Sequence, residues 1–174
     1  MRIVLLLALC ALLCCSLGHK QKDCLSRESI LQPLIKEMIH TSVFIQKSLD
    51  RDNTPFHRIL GNINKCYKKL NVADFKRILE LYDEHVFKKL WKNSDRQSIV
   101  MFLDSFKRLK NTMERCESEG KKTLSLCARE DLKKFEDTLM MSDQGVQIKA
   151  VREFHNVLVW ISFSMGRRTH EKIH

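Results

Sequence analysis

The sequence predicts an all-α protein, a six-helix bundle, on three observations. Apolar residues recur at steps of three and four in six successive stretches between Ser29 and Gly166, which is the period of one helix face. Short polar links join those stretches, so each apolar face has to be buried against a neighbouring helix. Five glycines and two prolines are too few for a strand-rich secreted domain, where every hairpin needs turn residues.

The chain opens on a leader. Ile3 to Leu13 is almost wholly aliphatic, Arg2 precedes it, and Ser16, Leu17 and Gly18 come after it. A charged start, an apolar run and a small-residue cleavage site describe a secretory signal. The expectation is a signal peptide over 1–18 and a secreted, extracellular domain over 19–174, with a basic tail from about 166. No later stretch reaches about 18 uninterrupted apolar residues, so no membrane anchor is expected.

The first helix is expected from Ser29 to Leu49, with Leu31, Leu34, Ile35, Met38, Ile45 and Leu49 on its apolar face. Pro33 stands early, where a missing amide costs little. Asp50 to Pro55 is a turn cluster. A short second helix is expected over Phe56 to Ile63, weakened by Gly61. Asn71 and Asp74 then read as start signals for a third helix reaching Trp91, with Phe75, Ile78, Leu79, Tyr82, Val86 and Leu90 inward. Asn93, Ser94 and Asp95 read as a break and a new cap. The fourth helix carries Ile99, Phe102, Phe106, Leu109, Met113 and Cys116 in one stripe. After a loop over Glu117 to Lys122, the fifth helix is expected to carry Cys127, Leu132, Phe135 and Leu139. The sixth begins near Val146 and is the most apolar, with Val151, Phe154, Val157, Leu158, Trp160 and Ile161. So wide an apolar arc belongs at the bundle centre. Gly166 to Arg168 is expected to end it.

Four cysteines remain once Cys10, Cys14 and Cys15 leave with the leader: Cys24, Cys66, Cys116 and Cys127. An even number in a secreted chain implies two disulfides, and three pairings are open. Spacing alone invites a local bridge between Cys116 and Cys127. No C-x-x-C spacing occurs, so no metal site is expected.

The chain carries a net charge of +10 and a pI near 9.4. Such an excess favours anionic partners: glycosaminoglycans, DNA or bacterial surfaces. The candidate polyanion-binding residues are Lys88, Lys89, Lys107, Arg108, Arg167 and Arg168. His170 to His174 spells H-E-x-x-H, the pattern of a zinc-dependent protease. Here the second histidine is the last residue and no later segment supplies a third ligand, so no catalytic residue, metal or cofactor is expected. One reading of this charge is a cationic antimicrobial or DNA-binding helical protein.

The last stretch reads Ile148-Lys149-Ala150-Val151-Arg152-Glu153-Phe154, then Val157-Leu158-Val159-Trp160-Ile161. Together with Cys66-Tyr67, Ile78 to Tyr82 and Glu84 to Phe87, it resembles the interleukin-10 family of class II helical cytokines. Arg152 and His155 depart from that family's usual residues. A second, weaker resemblance is to interferon-gamma and its fish relatives, which often lack four such cysteines. The first resemblance implies a class II (interleukin-10-like) cytokine bundle that bridges a class II cytokine receptor heterodimer. It implies receptor contacts at Asp52, Asn53 and Arg58 in the first connection and at Lys149 and Glu153 on the last helix. The residue-level alternative for Lys149 and Glu153 is an i, i+4 ion pair. The resemblance also implies the pairing Cys24–Cys116 with Cys66–Cys127, and leaves both a monomer and an intertwined homodimer open.

Overall fold

The computed structural model describes residues 24–49, 58–120, 122–141 and 143–170; for Ser26 and 167–170 it describes backbone only. The leader, Asp52 and Asn53 lie outside the described residues, as do the side chains of Arg167 and Arg168 and the 171–174 part of the H-E-x-x-H run. Every regular element among the described residues is helical, and there is no strand. A single turn, α1 (Cys24–Arg27), precedes α2 (Leu31–Lys47), the short α3 (Ile63–Cys66) with its 3₁₀ extension Tyr67–Lys69, and α4 (Val72–Tyr82). The chain of α4 runs on through a π turn, Asp83–Phe87, and one more α-helical turn, Lys88–Leu90. Then come α5 (Gln97–Glu119), α6 (Arg129–Met140) and α7 (Gln144–His170). No described helix is long and apolar enough to cross a membrane.

Packing obeys the apolar stripes. α2 buries Leu31, Leu34, Ile35, Met38 and Ile45. The stripe crosses Ser42, which stays inward because its hydroxyl donates to the Ile39 carbonyl at 2.7 Å. α7 packs against α1, α2, α4 and the π turn, and it buries Ala150, Val151, Phe154, Val157, Leu158 and Trp160 to 4% exposure or less. That is the central position its wide apolar arc requires. An aromatic cluster forms the middle of the core. The Phe87 ring meets Phe102, Phe106 and Phe154 edge-on at 4.8–5.5 Å, the arrangement that aromatic quadrupoles favour. Tyr82 is fully buried, so its hydroxyl needs a partner; it donates to the Ala150 carbonyl at 3.0 Å. Burial pushes the Tyr82 phenol well above its ordinary value, and the nearby Glu153 charge adds to the effect.

The disulfides join Cys24 to Cys116 and Cys66 to Cys127, with Cα atoms 5.3 and 6.0 Å apart. This is the pairing the resemblance implies, not the local hairpin. The first ties α1 to α5, reinforced by ion pairs Arg27–Glu119 and Arg115–Glu28 at 2.8 and 2.9 Å. The second ties α3 to the link before α6. Asp74 completes that corner. Its Oδ2 accepts the Asn71 N–H at 2.8 Å, while Asn71 Oδ1 accepts the Asp74 N–H at 3.1 Å. This reciprocal cap starts α4. Asp74 Oδ1 also accepts the Ser125 N–H at 2.9 Å, so one buried carboxylate caps a helix and holds a loop.

Several boundaries differ from the sequence expectation. Of the second helix expected over Phe56 to Ile63, residues 56–57 lie outside the described residues, 59–62 form turns, and α3 starts at Ile63. There the Glu153 carboxylate of α7 accepts hydrogen bonds from the amides of Ile59 and Leu60. Asn93 to Asp95 do not cap α5; Arg96 precedes it, with no side-chain cap. Cys127 lies in the turn before α6, where its disulfide fixes it. α7 begins two residues earlier than expected and continues through Gly166 to His170. Nothing lies within 4 Å of a Cβ placed at Gly166; a single helical glycine costs only about 1 kcal/mol, too little to stop a long helix. The basic stretch from 166 is therefore helical backbone to His170.

Candidate functional site

The first connection meets the last helix through Glu153. Its Oε1 accepts the Ile59 N–H at 3.0 Å and its Oε2 the Leu60 N–H at 2.8 Å. A carboxylate aimed at free amides at the start of a helical turn satisfies donors that have no other partner and meets a favourable local dipole. The clasp fixes the path of the connection where Arg58, which is exposed, enters the described structure. Next to it, the Gln46 side-chain amide donates to the Arg152 carbonyl at 3.3 Å, which joins the end of α2 to the same stretch of α7. Lys149, half-buried, stands one turn before Glu153. Three sequence-distant segments thus present one continuous surface: the end of α2, residues 58–60, and the middle of α7.

The clasp sets Arg58 next to the two amides that Glu153 holds, and Lys149 stands one turn from Glu153 on α7. Both carboxylate oxygens of Glu153 are engaged by backbone amides, so it holds the connection in place. Two exposed residues on α2 were missed by sequence reasoning: Val43 and Phe44, 42% and 55% exposed. Val43 lies one turn from Gln46, and Lys47 places its ammonium 6.0 Å from the Phe44 ring centre. The signal was present in the sequence. Val43 and Phe44 fall outside the stripe of Leu34, Ile35, Met38 and Ile45, so a helix that buries that stripe must expose them. An exposed aromatic beside apolar and charged neighbours has the composition of a protein-binding hot spot.

The candidate polyanion residues divide. Lys88, Lys89 and Lys107 gather around a groove between the end of α4 and the middle of α5. Arg108 points the other way, toward α2, where it lies 3.9 Å from Glu37 and donates to the Ser105 hydroxyl at 3.0 Å. Within the groove Asp83, on the π turn, receives Lys110 at 2.6 Å and Lys88 at 3.2 Å. Burial pushes the Asp83 carboxyl up, but Lys110 and Lys88 together outweigh it and hold it below the usual carboxylate range. The hydrogen bond that Lys110 donates to Asp83 in turn raises the Lys110 ammonium above its ordinary value.

No group of His, Cys, Asp and Glu among the described residues is arranged to hold a metal ion. What the surface offers chemically is shape, charge and apolar area at fixed positions. No protein-family model, curated protein or solved structure matches the chain.

Proposed function

We propose that the chain is a secreted helical cytokine of the class II, interleukin-10-like type. It binds two class II cytokine receptor chains at once and brings their associated JAK kinases together, so that STAT factors are phosphorylated in immune or epithelial defence. The ligand makes and breaks no bond. It acts by holding separated patches at fixed spacing on a disulfide-linked bundle. Within that family the run from Phe102 to Leu109, the cysteine after it and the basic balance look most like interleukin-26.

The observation that carries this reading is the Glu153 clasp. The acidic residue of the last-helix signature ties down the connection between the first helix and the rest of the bundle. A receptor-facing surface built from the end of α2, Arg58 and Lys149 is thereby set before any partner arrives. Preorganisation of this kind lowers the ordering cost of association. The exposed Val43 and Phe44 supply apolar area at its edge.

A direct test is a binding screen of the purified protein against class II receptor ectodomains, paired with STAT phosphorylation in cells bearing the receptors that bind. Saturable binding to one ectodomain and phosphorylation at nanomolar dose support the proposal. No binding to any ectodomain, with membrane lysis at micromolar dose, favours the cationic antimicrobial or DNA-binding reading, for which the cluster of Lys88, Lys89 and Lys107 is the specific observation.

A further inference from the structure

The groove between the end of α4 and α5 has a volume of about 1010 Å³, at the upper end of small-ligand sites. Its floor is aromatic. Phe87 and Trp91 stack at 5.1 Å with their rings 3° from parallel, and Phe106 closes edge-on against Phe87 at 4.8 Å. These three rings are 7% exposed or less, so the floor is already packed. Leu103, half-buried, adds an apolar wall.

The rim has the opposite character. Five lysines line the groove, against Asp83, Asp104 and Glu114. Asp83 engages Lys88 and Lys110. Lys89, Lys92 and Lys107 make no close ion pair among the described residues, while Glu114 acts on Lys110 at longer range. Five ammonium groups against three carboxylates leave the rim with an excess of positive charge around an apolar trough. A glycan or nucleic-acid backbone uses the lysines but has no need of the trough, and a neutral lipid has no need of the lysines.

We propose that this groove binds a free single-chain anionic amphiphile, a fatty acid or lysophospholipid. Its hydrocarbon chain would lie along Trp91, Leu103 and the aromatic floor. Its carboxylate or phosphate would be held by Lys89, Lys92 and Lys107. The ligand shares no residue with the surface built around Glu153, so the proposal stands apart from receptor binding.

Trp91 and Trp160 are the two tryptophans of the chain, and Trp160 → Phe leaves Trp91 as the reporter. The probe is oleoyl lysophosphatidate, titrated below its micelle concentration. The expected result is a saturable change in Trp91 emission with one molecule bound per chain, and isothermal calorimetry on the unmodified protein reads the same binding without the Trp160 substitution. The triple reversal Lys89 → Glu, Lys92 → Glu, Lys107 → Glu should weaken binding by about tenfold or more, as should Leu103 → Asp. Neutral oleoyl lysophosphatidylcholine should bind at least about tenfold more weakly, and millimolar inorganic phosphate should not displace the lipid. The proposal is overturned by equal affinity for the neutral lipid or by displacement with phosphate alone. It is equally overturned if a response appears only with phosphatidylglycerol vesicles or above the micelle concentration, or if neither the reversal nor Leu103 → Asp weakens binding in variants whose helical circular dichroism matches the parent.

Discussion

Lys149 and Glu153 sit one turn apart on the same helix and do different work. Glu153 spends both oxygens on the amides of Ile59 and Leu60. Glu153 → Ala leaves those donors without a carboxylate in a partly buried place, and should cost about 2 kcal/mol. Glu153 → Gln keeps one acceptor and should cost about half as much. Thermal melting checks both, and amide exchange should quicken at Ile59 and Leu60 in the alanine variant before the global transition. Lys149 → Glu should instead lower affinity for the binding receptor ectodomain on a sensor chip, while stability changes by less than about 1 kcal/mol. Unchanged affinity removes Lys149 from the interface. The distinction matters because a fall in affinity for Glu153 → Ala mixes a displaced connection with a lost contact. The sequence showed that these two residues share a face; it did not show the clasp, because the amides that fill it lie 93 and 94 positions away.

Helix α4 shows what periodicity reveals and what it hides. Asn71 and Asp74 were readable as a start signal because the cap is local, three residues across. The π turn at Asp83–Phe87 was not. A count at steps of three and four continues from Tyr82 to Val86 and Leu90, but the wider turn rotates the residues beyond it. Phe87 and Trp91 therefore face the core, while Leu90 is only half-buried. The same turn aims Asp83 at Lys110 across the groove. The folded-state carboxyl of Asp83 is held below its ordinary value, so its contribution to stability is present in full above the usual carboxylate range and is lost as pH falls through the lowered value. Asp83 → Asn removes that dependence. The parent should lose its advantage over Asp83 → Asn as pH falls from 5 toward 3, roughly the range where a free aspartate titrates, as measured by melting temperature at each pH. A constant difference across that range argues against a charge role for Asp83.

At the scale of the whole molecule, function under this proposal depends on distance being kept between patches, and the disulfides show which part of the bundle keeps it. Cys24–Cys116 spans 92 positions and Cys66–Cys127 spans 61. On the chain-entropy account, closing loops of that length stabilises by about 4 to 5 kcal/mol each, comparable with the whole stability of many domains. The all-helical class and the four cysteines were legible in the residues themselves, whereas the pairing came only from the resemblance, because spacing alone leaves three pairings open. Cys24–Cys116 lies at the α1 end of the bundle, whereas Gln46, Arg58 and Glu153 lie near the far end of α2. A 17-residue helix is about 25 Å long at 1.5 Å per residue, so the bridge and the surface around Glu153 are well separated. The double variant Cys24 → Ser, Cys116 → Ser should therefore unfold at much lower denaturant concentration. At low temperature, where it remains folded, it should still bind a single receptor ectodomain with parental affinity, since the Glu153 clasp and the second bridge are intact. Bridging two chains demands that the spacing between patches hold at 37 °C, so STAT phosphorylation should fall more steeply than single-receptor binding. If both fall together at every temperature, the surface at Glu153 depends on the α1 anchor, and the bundle cannot be acting as a rigid spacer with independent faces.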